Sequence, residues 1–110
     1  MKHTRELLMK AHALIGGDRE KDYGDKVKNH NNIAKLWSAY LDTKVEAHDV
    51  AILMVLLKIA RTKLGVVNKD TYVDMSAYGA IAGEIKFKDT DNNKESEGER
   101  RGRATLRYVK

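Results

Sequence analysis

Asp49-Val-Ala-Ile-Leu-Met-Val-Leu-Leu-Lys-Ile-Ala-Arg61 decides the fold: ten of its thirteen residues are apolar, and only Asp49, Lys58 and Arg61 interrupt the run. Such a run is too long for an ordinary buried strand and short of the ~20 residues that cross a bilayer, so it reads as a core helix. Apolar residues cover nearly its whole circumference, so other helices are expected to wrap it on all sides. Lys58 and Arg61 share a face near its C-terminal end. There a cation complements the helix dipole and its stem snorkels out of the core. The same pair is placed to hold a phosphate or an acidic partner.

The totals set the class. A chain of 110 residues is one domain with a single modest core. It has no cysteine, which removes disulfides and thiolate metal sites, and no proline, which favours an all-helical reading. No basic segment followed by an apolar stretch opens the sequence, and no run long enough to span a bilayer occurs, so a cytoplasmic protein without membrane contact is expected. The formal charge of +5 permits a polyanionic partner without requiring one. Scattered histidines without cysteine argue against zinc. A Walker-type glycine loop is absent, and no nucleophile stands with a recognisable base.

Around the central stretch, three further segments carry helical periodicity. Over 4–15, Leu7, Leu8, Ala11, Leu14 and Ile15 recur at three- and four-residue intervals, with Thr4 as the expected cap and Gly16-Gly17 as the stop. His12 stands at the edge of that stripe. The segment 18–25 has the composition of a loop: Arg19 and Lys21 are candidate phosphate contacts, Tyr23 a candidate base-stacking residue, and Asp22 or Asp25 a candidate cation ligand. Over 26–41, Val27, His30, Ile33, Ala34, Trp37, Tyr40 and Leu41 form a broad stripe with Trp37 read as core. Glu46 and Asp49 fall at the first turn of the central helix, where carboxylates favour the dipole and where their spacing also suits Mg²⁺.

A last helix is expected over about 70–87, with Asp70 as its cap and Val73, Ala77, Tyr78, Ile81 and Ile85 buried. Gly79, Ala80, Ala82 and Gly83 make one side of it thin, as in a closely approached pair or an oligomer seam. Asp74 lies one turn inside that helix, beside Val73 and Tyr78. From 88 to 110 the composition turns polar and basic. Arg100, Arg101, Arg103, Arg107 and Tyr108 there form a candidate surface for nucleic acid or an acidic protein partner.

Asp22-Tyr-Gly-Asp25, Ile33-Ala-Lys-Leu-Trp-Ser-Ala-Tyr-Leu41, the central stretch and Tyr72-Val-Asp-Met-Ser-Ala-Tyr-Gly-Ala80 together resemble a family of small uncharacterised bacteriophage and prophage proteins. The resemblance spans roughly 5–85 and implies no established activity. More distantly, the chain is similar to the MazG-type all-alpha nucleotide pyrophosphohydrolases. That likeness implies a four-helix assembly, usually oligomeric, in which carboxylates on facing helices hold Mg²⁺ against a nucleoside triphosphate. On this implied match Asp74 is a metal ligand with Asp49 or Glu46 as its partner, and Lys58 and Arg61 face phosphate. The central helix lacks the Glu-Glu-x-x-Glu pattern of that group. Fewer carboxylates weaken Mg²⁺ binding and water activation, so a shared fold does not carry hydrolysis with it.

The expectation is an all-α, four-helix, MazG-like bundle over 1–87 with a polar, basic tail over 88–110, forming a homo-oligomer in an infected bacterial host. Its expected role is to bind or hydrolyse a nucleoside phosphate with Mg²⁺. The alternative is a non-enzymatic protein that binds a host protein or nucleic acid.

Overall fold

The computed structural model describes residues 1–15, 20–65 and 67–92, the side chains of 20–25, 89, 91 and 92 excepted. Four helices follow one another: α1 (Lys2–Ile15), α2 (Glu20–Leu41), α3 (Ala47–Arg61) and α4 (Lys69–Asn92). All regular structure among the described residues is helical, as the periodicity requires. None of the helices is long and apolar enough to cross a membrane.

α4 is the hub. It packs along α3 and α1, while α2 reaches the bundle chiefly through α3. One core cluster joins Ala47 and Ala51 of α3 to Ile81, Ala82 and Ile85 of α4, with Ile15, Val27 and Tyr78 packed against it. A second joins Ala11 of α1 to Val73 and Ala77 of α4. Alanine dominates both clusters because short side chains let helix axes approach closely.

The central helix is not wrapped as its composition predicts. Ala47, Val50 and Ala51 are buried, and Met54, Val55 and Lys58 on the same side are half-buried. On the other side Ile52, Leu53, Leu56, Leu57 and Ile59 are 39–52% exposed. Periodicity cannot tell which side of an all-apolar helix is covered, and α4 and α2 cover only one. Trp37 is likewise half-buried rather than core. Its neighbour Ser38 anchors the end of α2 instead: its hydroxyl accepts from the Val45 N–H at 2.8 Å and donates to the Val45 carbonyl at 3.1 Å.

Helix limits differ from the sequence reading in four places. α1 begins before Thr4, which therefore lies inside the helix. The backbone over 20–25 is helical, not a loop, because Gly24 costs a helix only about 1 kcal/mol. Asn68 rather than Asp70 caps α4, its Oδ1 accepting the Asp70 N–H at 2.9 Å. The same helix continues to Asn92, past the expected end at 87. The thin side of α4 is covered only in part: Ala82 packs in the core against α3, while a Cβ built at Gly79 or Gly83 would find none of the described atoms within 4 Å.

Candidate functional site

Lys58 and Asp74 meet across the α3–α4 interface, with Nζ and Oδ2 3.1 Å apart. The α3 turn that carries Lys58 faces the first turns of α4, and Asp74 sits beside buried Val73 on that side. The lysine side chain is only 13% exposed and the carboxylate 33%, so the pair is shielded on its α3 side and wet on its α4 side. Arg61, one turn further along α3, is exposed.

Beside this pair a pocket of about 280 Å³ opens between α1, α2 and α4. Leu14, Ile15, Ala77 and Ile81 form its apolar wall; Lys26, Asn29, His30, Asp74 and Tyr78 supply its polar groups. His30 is 6% exposed, and its Nδ1 lies 2.7 Å from the carbonyl of Lys26 one turn earlier. A carbonyl only accepts, so Nδ1 carries the proton and the neutral ring has its lone pair on Nε2. That Nε2 is buried and has no hydrogen-bond partner among the described residues. A buried acceptor left unpaired costs about 1–3 kcal/mol, which a donor brought by a ligand would recover. The Tyr78 ring is tilted 55° to the imidazole at a centroid distance of 6.2 Å, so the two rings flank the same space. The Lys26 ammonium reaches the Leu14 carbonyl at 3.4 Å, a long contact that an incoming anion can replace.

Glu46 and Asp49 lie elsewhere. They stand at the start of α3, where Asp49 Oδ2 accepts the Glu46 N–H at 2.9 Å and closes the helix N-terminus. Nine residues separate Asp49 from Lys58, roughly 13 Å along the helix axis. The structure thus brings Asp74 to Lys58 but not to Glu46 or Asp49. Among the described residues no three His, Asp or Glu side chains form a group that could hold a metal ion. Among the described residues, Asp74, Glu46 and Asp49 do not converge on one metal position.

Glu46 and Asp49 instead line a wider cleft of about 710 Å³ with Lys35, Lys44, Lys86 and Lys88. All four lysines are exposed. Arg19, Lys21 and Tyr23, and the tail residues Arg100, Arg101, Arg103, Arg107 and Tyr108, have side chains outside the described residues. Sequence reading did not single out Lys26 and Asn29, and it gave Tyr78 and His30 only packing roles. The signal was present: Lys26, Asn29 and His30 follow i, i+3, i+4 spacing and so share one helix face. That face begins where the Asp22-Tyr-Gly-Asp25 motif ends.

A model of a family described as a domain of unknown function, DUF6378, matches residues 6–86. The chain is 42% identical over 76 residues to the Gene 55 protein of Mycobacterium phage L5, covering 68% of this chain and 49% of that protein. It is 39% identical over 82 residues to the Gene 55 protein of Mycobacterium phage D29, covering 74% of this chain and 54% of that protein. The chain therefore spans about half the length of these relatives. No solved structure matches it.

Proposed function

The chain belongs to the DUF6378 family, whose function is unknown, and from that premise we propose that it binds a nucleoside phosphate in the pocket between α1, α2 and α4. The observation that carries the reading is the buried Nε2 of His30, an acceptor in the neutral ring and left without a partner among the described residues, in a pocket that also holds Asp74 and Tyr78. An amino-bearing base supplies the donor that Nε2 lacks. Asp74 can accept a second hydrogen bond from the base or a sugar hydroxyl, because its outer side is open to water. Tyr78 offers an aromatic edge. The volume, about 280 Å³, lies just under the range of roughly 300–1,000 Å³ typical of ligand clefts, enough for a base and part of a sugar. Phosphates then project past the mouth, toward the Lys26 ammonium.

The distant likeness to nucleotide pyrophosphohydrolases supports the ligand class. Hydrolysis does not follow from the residues present: a water-activating metal needs carboxylates that converge, and Glu46 and Asp49 are held apart from Asp74. Mg²⁺ enters this reading only as the ion that accompanies the phosphates.

Equilibrium binding of a panel of ribo- and deoxynucleoside triphosphates, with and without Mg²⁺, tests the proposal. Removing one hydrogen bond to a buried acceptor is worth about 1–3 kcal/mol, so His30→Phe and Asp74→Asn should each weaken binding roughly 5- to 100-fold. Pyrophosphate release in the same samples reports turnover directly. Affinity that both variants leave unchanged would place any nucleotide site elsewhere. A second reading, an interaction protein for a host protein or nucleic acid, rests on the formal charge of +5 and on the missing Glu-Glu-x-x-Glu pattern. Absence of binding across the panel would shift the weight to it.

A further inference from the structure

We infer that the outer side of α3 is a seam between two copies of this chain, paired antiparallel about a two-fold axis at Leu56. Ile52, Leu53, Leu56, Leu57 and Ile59 are each 39–52% exposed, and they run from the middle of α3 into its last turn. Scattered apolar residues on a surface are ordinary; a contiguous stripe along one helix is an interaction surface. Asp49, Ile52, Leu56 and Ile59 follow alternating three- and four-residue steps, the spacing of a helix–helix seam, and Lys63 keeps that spacing in the turn that follows the end of α3 at Arg61.

The stripe is complementary to itself in only one direction. Asp49 and Lys63 stand seven residues either side of Leu56, Ile52 and Ala60 four, and Leu53 and Ile59 three. Turning a second copy about Leu56 therefore sets Leu56 on Leu56, each isoleucine or leucine on an apolar residue, and Asp49 of each copy on Lys63 of the other. All six of these flanking residues, Asp49, Ile52, Leu53, Ile59, Ala60 and Lys63, are exposed. A parallel pairing would instead oppose like charges at both ends. The antiparallel arrangement also opposes the two helix dipoles favourably. A patch that answers its own rotated image is what a two-fold interface requires. This seam lies on α3, not on the thin side of α4 where glycine content alone would put it.

Sedimentation equilibrium of the full chain across micromolar to hundreds of micromolar concentrations reads the assembly. A dimer is expected. Leu56→Glu puts two carboxylates on the axis and should give a monomer whose helical circular dichroism is retained. Lys63→Asp opposes Asp49 with a like charge at both ends and should raise the dimer Kd about fivefold or more at low salt. A chain that stays monomeric throughout overturns the inference, and so does a dimer indifferent to Leu56→Glu. A dimer that Lys63→Asp does not weaken overturns the antiparallel register.

Discussion

Replacing Asp74 by asparagine, which keeps the shape and removes the charge, should destabilise the fold far more than replacing Lys58 by methionine. Breaking a fully buried ion pair from one side costs about 3–5 kcal/mol, because the remaining charge is stranded. Exposed pairs give about 0.2–1 kcal/mol. The Lys58–Asp74 pair lies between these limits, with 13% of one side chain and 33% of the other reaching water. Asp74→Asn leaves a largely desolvated ammonium without its counter-charge, so a loss of about 1–3 kcal/mol is expected. Lys58→Met fills the α3–α4 space with an apolar chain of similar length and leaves behind only the wetter partner. Its effect should stay within about 1 kcal/mol of zero. Urea denaturation at fixed protein concentration, with the slope unchanged, measures both. In the Lys58→Met background, Asp74→Asn should cost less than about 0.5 kcal/mol, which isolates the coupling. Equal losses in the two single variants, or no coupling between them, would refute the account of this pair.

Two other outcomes follow from single contacts. Glu6 receives the ammonium of Lys69 at 3.0 Å and of Lys10 at 3.2 Å, tying α1 to α4. The hydrogen bond from Lys69 first, and that from Lys10 second, hold its carboxyl below its ordinary value. A depressed folded-state value adds stability above the ordinary carboxylate range and loses it as pH falls through the lowered value. The wild type should therefore lose an increment of stability below about pH 4.3 that Glu6→Gln lacks; identical pH profiles would exclude it. Gly65, in the link between α3 and α4, has φ of 79°, and an added Cβ would touch nothing. Gly65→Ala should then cost about 1 kcal/mol from backbone strain alone, read as a lower thermal midpoint, and an unchanged midpoint would contradict that conformation.

The existence and order of the helices were legible because each carries a three-to-four-residue apolar repeat. The place of Asp74 beside Val73 on the buried side of α4 was legible for the same reason, whereas its pairing with Lys58 was seen only in the fold. What periodicity hides is which side of a helix has a neighbour. α3 is apolar all round, so nothing in its own residues reveals that Leu53 and Leu56 stay open while Val50 and Ala51 close against α4. Trp37 misleads for a related reason, since its size favours burial but α2 meets the bundle through Ala34 and His30. The pocket was the least legible part. His30 reads as a packed ring in sequence, and only the fold shows one nitrogen bonded to Lys26 and the other without a partner among the described residues, beside Asp74 and Tyr78.

Backbone amide chemical-shift mapping during titration with a deoxynucleoside triphosphate tests the central claim most directly, because it reports where the ligand sits as well as whether it binds. The account predicts saturable shifts concentrated on Asn29, His30, Asp74, Ala77 and Tyr78, and their loss in His30→Phe. Shifts gathered instead around Lys35, Lys44 and Lys86, or none at all, would contradict it.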